Sequence, residues 1–371
     1  MPVMQSAPGA ETIIDGRRYL YFAGTGYYGL QGHPEVIRAA CDAVQQYGIG
    51  SATSRSGYGA NPPMLDAERR GAAYFGDEAS FYYISGYVGN SVLVHSLRDR
   101  FDVAFVDELA HYSVLEGVRC ESRPVVTFRH CDPDDLAAKL AASLKPGQRP
   151  MLVTDGVFPT LGRIAPVPDY MRVLEQYPGA LICLDDAHAT GTLGANGRGV
   201  YEHFGLSWGP GSRAVELYFS TTLSKAIGGQ GGLISGSQAL IESIKQGSHF
   251  FNGASQPSVP VAAATAKALE IAMAQPEIRR RLWANVARVK AGLRRLGLAT
   301  DDTPVPIISL AFETGSAMQR LQKALMERGI VIAYIRAYTG LGPEGGLRIA
   351  VFSTHTEEMI DRFLDEMAHL I

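Results

Sequence analysis

The hydrophobic positions of the chain fall into two kinds of run. In one, apolar residues recur every three or four positions. Val36, Ile37, Ala40, Cys41 and Val44 do so after Pro34, and Gly48 ends the pattern, which predicts a helix with proline in its first turn. In the other, a short apolar stretch stands unbroken. Phe81–Ile84, Val103–Val106, Val125–Phe128, Met151–Val153, Ala180–Leu184, Leu217–Ser220 and Leu233–Ser235 read as seven strands, with Arg18–Ala23 as an earlier extended piece. Helical stretches such as Pro133–Leu144 and Asp169–Tyr177 separate several of them. This alternation predicts an α/β architecture on a mostly parallel sheet.

After Pro257 the texture changes. A long helical region, Val259–Leu296, leads to a smaller α/β unit: strand Pro306–Leu310, helix Ala317–Arg328, and strands Ile330–Tyr334 and Gly346–Val351. A last helix opens on Thr354-His355-Thr356-Glu357, which has the form of a capping box, and carries the stripe Met359, Ile360, Phe363, Leu364 and Met367. The expected organisation is an N-terminal segment (1–48), a large domain (49–257) and a small C-terminal domain (258–371).

Composition narrows the class without naming it. With 371 residues and a net charge of −3, the chain is long enough for more than one lobe, and its charge offers no reason for nucleic acid or membrane partners. The run Arg279-Arg280-Arg281 reads as a solvated helix face. No apolar run reaches the roughly 20 residues of a membrane helix, and Met1–Thr12 lacks a secretory pattern. Cys41, Cys120, Cys131 and Cys183 stand far apart without metal-ligand spacing, so thiols in a reducing cytoplasm, and no metal site, are expected.

One motif misleads. Gly24-Thr25-Gly26-Tyr27-Tyr28-Gly29 fits the glycine pattern of dinucleotide sites. Such a site needs a helix to begin there, and Leu30-Gln31-Gly32-His33-Pro34 is loop.

Two other segments carry chemistry. Leu184-Asp185-Asp186-Ala187-His188 follows one apolar strand, and Ser220-Thr221-Thr222-Leu223-Ser224-Lys225 ends another. Both lie where ligands of α/β sheets bind, beyond the carboxyl ends of strands. Together they offer what pyridoxal 5'-phosphate (PLP) asks of a protein. Lys225 can hold the cofactor as an imine and move protons. Asp185 can pair with the pyridine nitrogen, and His188 can bond the phenolic oxygen or orient Asp185. Ser85-Gly86-Tyr87, after the Phe81–Ile84 strand, can cradle the phosphate, Thr222 can add a hydroxyl, and His111 can stack on the ring.

Read as a set, these motifs resemble the α-oxoamine synthase family of fold-type I PLP-dependent transferases. Matching blocks include Gly26-Tyr27-Tyr28-Gly29-Leu30, Ser85-Gly86-Tyr87-Val88-Gly89-Asn90, Asp155-Gly156-Val157-Phe158, Asp185 to Gly191, Gly197-Arg198-Gly199 and Leu223-Ser224-Lys225-Ala226. The resemblance runs from about Ile14 onward. It implies a large domain on a mostly parallel seven-stranded sheet and a smaller C-terminal α/β domain. It also implies a homodimer with active sites at the interface. It puts Lys225, Asp185, His188 and His111 in catalytic and cofactor-binding roles, and Arg348 on the substrate carboxylate. The implied reaction joins an amino acid to an acyl-CoA thioester with loss of carbon dioxide, giving an α-amino ketone.

The chain departs from the family pattern around the substrates. Thr25 stands where the family has an asparagine that helps hold the carboxylate, and Pro159 where a serine bonds the phenolic oxygen. Met64 replaces a histidine placed before the helix that contains Leu65–Phe75, and Asn252 and Gly253 replace hydroxyl residues ahead of Pro257. Synthase chemistry and transamination, or another use of the same carbanion, both remain open on these residues. So does a PLP-binding scaffold without turnover, which intact Lys225, Asp185, His188 and Arg348 argue against.

Overall fold

A computed structural model describes residues 2–211, 214–336, 338 and 340–371. Among the described residues, twelve strands build two sheets. In chain order they are β1 (Glu11–Ile14), β2 (Arg17–Phe22), β3 (Ala79–Tyr83), β4 (Val103–Asp107), β5 (Val125–Phe128) and β6 (Pro150–Asp155). Then come β7 (Ala180–Asp185), β8 (Val215–Thr222), β9 (Gly232–Gly236), β10 (Ile307–Leu310), β11 (Ile330–Ile335) and β12 (Gly346–Ala350). The large sheet has the order β3-β9-β8-β7-β6-β4-β5. Its strands run parallel except β9, which is antiparallel to both neighbours. The seven apolar runs of the sequence are these seven strands. Every residue of β4, β6, β7 and β9 is buried, as a sheet covered on both faces requires.

The second sheet has the order β1-β2-β11-β12-β10, so the chain's first strands sit beside its last. Residue Leu20 of β2 pairs in parallel with Ile330 of β11. The strand β1 has no counterpart in the sequence reading, because four residues with a mixed burial pattern make no apolar run.

Three further expectations are corrected. The helical region 259–296 is two helices, Val259–Ala274 and Glu277–Arg295, separated at Pro276. Proline lacks the N–H and the room to continue a helix. The last helix is capped by Thr356, whose hydroxyl accepts from the Met359 N–H, and not by a box starting at Thr354. Arg279 is no solvated residue. It is 6% exposed, its guanidinium stands 5.5 Å over the Trp283 ring, and its Nη2 donates to the Ala195 carbonyl, while Arg280 and Arg281 are exposed.

Helix starts follow local chemistry. Pro34, Pro62 and Pro133 occupy first-turn positions behind the caps His33, Asn61 and Asp132, whose side chains accept backbone N–H groups. Met64 lies within the helix Pro62–Phe75, fully buried, and not before it. Among the described residues no helix is long and apolar enough to cross a membrane.

Candidate active site

Six parallel strands end on one side of the large sheet, and residues at or just after the ends of five of them, β3, β4, β6, β7 and β8, surround a cleft of about 460 Å³. Ser85, Gly86, Tyr87, His111, Asp185, His188, Thr222 and Lys225 all line it. Arg348 and Thr25, the two residues expected at the substrate, do not.

Asp185 closes β7. Its Oδ2 accepts from Asn90 Nδ2 at 2.8 Å and Ser113 Oγ at 3.4 Å, and its Oδ1 from the Ala187 N–H at 3.1 Å. Three donor groups thus face one buried carboxylate. Asn90 is itself fixed, accepting at Oδ1 from Ser220 Oγ at 3.1 Å. Asp155 ends the neighbouring strand in register with Asp185 and also faces the cleft. It accepts one bond, from the His111 N–H at 2.7 Å. Burial and the adjacent Asp185 push its carboxyl well above the usual range.

Lys225 lies in the turn between β8 and β9. Burial brings its amine down from 10.5 to about 8, against the pull of Asp185 and Asp155. A substantial neutral fraction is therefore present near neutral pH, which a nucleophilic amine requires. The Lys225 carbonyl accepts from Gln31 Nε2 at 3.1 Å.

His111 caps the helix Tyr112–Arg119, its Nδ1 accepting from the Ser113 N–H at 3.1 Å. Burial lowers its pKa, with Lys225 adding to the effect. Its ring stands among those of Tyr87, Tyr112 and Tyr338, with centroids 5.9, 6.0 and 6.1 Å away. His188 is buried, and burial together with the Lys225 and Arg348 charges holds it well below the usual histidine range, as a neutral imidazole.

The opposite rim is built for close approach. Ser85 caps the turn Gly86–Val88, which runs into the helix Gly89–Ser96. A side chain on Gly86 would meet Thr222 Cβ at 2.4 Å, so only glycine lets this backbone lie against the end of β8. Thr222 Oγ1 donates to the Gly231 carbonyl at 2.9 Å and lies 2.8 Å from Ser224 Oγ.

Arg348, on β12, reaches toward the cleft from the small sheet. Its Nε donates to the Pro159 carbonyl at 2.8 Å and its Nη1 to the Gly24 carbonyl at 2.9 Å. Its Nη2 lies 3.3 Å from the Tyr27 hydroxyl. Three of five N–H groups are engaged and no carboxylate pairs with it among the described residues, so one N–H on each terminal nitrogen is left for an incoming anion. The Pro159 carbonyl thus anchors Arg348, and it cannot donate as the serine hydroxyl of the family does. Thr25 is half-buried, and its carbonyl accepts from the Tyr27 N–H at 2.9 Å.

The sequence reading gave no role to Asn90, Ser113 or Asp155. A polar residue ending an apolar strand was a signal for Asp155, as it was for Asp185. Asn90, a buried amide in the apolar helix Gly89–Ser96, was another. Elsewhere Asp107, His130 and Cys131 bring one donor atom each within 4.8 Å of one another. The Asp107 oxygens already accept from the Leu109 and Cys131 N–H groups and face His130 Nδ1. The cluster is knit by its own hydrogen bonds.

Comparison with known proteins agrees with this geometry. The family model described as aminotransferase class I and II matches residues 22–367. The 8-amino-7-oxononanoate synthase 1 of Bacillus subtilis is 33% identical over 363 residues, covering 98% of this chain and 90% of that protein. Serine palmitoyltransferase of Sphingomonas wittichii superposes with a TM-score of 0.89 at 25% identity, covering 100% of this chain and 91% of the other. A solved serine palmitoyltransferase with PLP gives 0.91 at 25% identity, over 100% and 92% of the two chains. The chain belongs to the aminotransferase class I and II family and, within it, to the α-oxoamine synthases of fold type I.

Proposed function

We propose that this protein is a PLP-dependent acyltransferase that condenses an amino acid with an acyl-CoA thioester, releasing carbon dioxide and CoA and leaving an α-amino ketone. The observation that carries the reading is the pairing of Lys225 and Asp185. A partly neutral amine and a triply bonded carboxylate face one cleft from the ends of adjacent strands.

The residues fit the cofactor. Ser85, Gly86, Tyr87 and Thr222 would hold its phosphate, where the backbone comes close and a helix begins. Asp185 would pair with the ring nitrogen, His188 with the phenolic oxygen, and His111 with the ring face. When bound, PLP supplies an electron sink for a carbanion at the amino acid's α-carbon. Asp185 keeps the ring nitrogen protonated, Lys225 takes the α-proton and returns one, and Arg348 grips the carboxylate through its two unused N–H groups. The low pKa of Lys225 matches proton transfer near neutral pH.

A homodimer with its sites at the interface is part of this proposal. The exposed apolar residues Ile84, Tyr87 and Tyr112, 48%, 47% and 48% accessible, ring the cleft in the single chain and suit cover by a second copy. Free cysteines suit a cytoplasmic location.

The test is to titrate the PLP-loaded protein with glycine, alanine and serine, with and without an acyl-CoA, following free thiol and carbon dioxide. Release of both only when amino acid and thioester are present is the expected result. Conversion of the cofactor to pyridoxamine phosphate by amino acid alone, with no thiol released, would replace the reading by transamination.

A further inference from the structure

The carboxylate-binding arginine and the histidine of the cleft are joined by one phenol. Arg348 Nη2 lies 3.3 Å from the Tyr27 hydroxyl, and that hydroxyl lies 2.8 Å from His188 Nδ1. Tyr27 is fully buried, and its hydroxyl has no third partner among the described residues. Burial lifts its pKa to about 12, so the phenol keeps its proton. Arginine can only donate, so the Tyr27 oxygen accepts from it and its one proton must point elsewhere. His188 Nδ1 is the available acceptor, and leaving a buried O–H unpaired is costly. Nδ1 therefore carries no proton, and in a neutral ring Nε2 carries it.

We propose that Tyr27 is a positioning residue of the reaction. It locks His188 in the tautomer that donates from Nε2 into the cleft, and it ties that donor to the guanidinium that receives the substrate carboxylate. The inference rests on the functional reading above, which supplies the acceptor: the cofactor's phenolic oxygen. A donor chain of this kind makes the two ends interdependent, so a carboxylate drawn onto Arg348 is felt at His188.

The experiment measures PLP affinity of the cofactor-free protein for wild type, Tyr27→Phe, His188→Asn and the double variant, with Tyr28→Phe as control. The Tyr28 phenol donates to the Gly191 carbonyl and stands outside the chain. Tyr27→Phe is expected to weaken binding on the order of tenfold, and to add nothing in the His188→Asn background, because it acts through that ring. Tyr28→Phe should bind as wild type does. Wild-type affinity in Tyr27→Phe, or losses that multiply in the double variant, would overturn the proposal. Nitrogen-15 shifts of the His188 ring, assigned by the signal lost in His188→Asn, give an independent reading on wild type should a Tyr27 variant not fold. A protonated Nε2 is expected, and a protonated Nδ1 would overturn it. A wild-type protein that takes up no PLP would instead sink the functional reading itself.

Discussion

Asp185 accepts from three donors and Asp155 from one among the described residues; burial and the adjacent Asp185 push the Asp155 carboxyl well above its usual range, and burial brings the Lys225 amine down to about 8. The sign follows directly. The nucleophile is the neutral amine, so covalent capture of PLP by the cofactor-free protein should accelerate as pH rises through about 8 and level off above it. Stopped-flow absorbance would check this, and a rate still climbing at pH 10 would mean an unshifted lysine. Lys225 and Asp185 were legible in the sequence because each is a polar residue placed just after an apolar strand. Tyr27 was not, since its partners His188 and Arg348 lie 161 and 321 residues away and no local pattern marks them. Arg279 was misread for a related reason: a charge run predicts solvent unless the facing loop is known.

At the scale of elements, the cleft exists because β3 and β8 stop level with one another, and the turn after β3 can press on the end of β8. Gly86→Ala places a carbon 2.4 Å from Thr222 Cβ, so one strand end must move. PLP affinity is expected to drop on the order of tenfold or more, while stability falls by about 1–3 kcal/mol, the usual cost of overpacking. Cofactor titration and thermal melting on the same sample would check both. An affinity equal to wild type would show that the phosphate lies elsewhere. The seven strands of the large sheet were legible to within about two residues at each end, since strands buried on both faces have no polar face to obscure them. The break at Pro276 was not, because apolar residues continue at helical spacing on both sides of it.

At the scale of the whole molecule, the helix Glu277–Arg295 reaches back to the loop that follows His188. Arg279 Nη2 donates to the Ala195 carbonyl, and Trp283 Nε1 donates to the Thr192 carbonyl at 2.7 Å. Arg279→Met is expected to cost about 1.5–3 kcal/mol, the range for hydrogen bonds from a charged donor, whereas Arg281→Ala, exposed on the same helix, should stay within about 0.5 kcal/mol of wild type. Urea denaturation of the pair would check this. Equal midpoints would mean that the arginine cluster is the solvated face its sequence suggests.

The small sheet that joins β2 to β11 also sets a schedule. During synthesis β2 is made early and has no parallel neighbour until β11 emerges, and Tyr27 waits across 321 residues for Arg348. At cellular elongation rates that interval is on the order of tens of seconds. By the last third of it all seven strands of the large sheet, and Lys225, have been made, yet the arginine proposed to hold the substrate carboxylate has not. A chain still on the ribosome therefore carries the residues proposed to hold the cofactor before the one proposed to hold the amino acid.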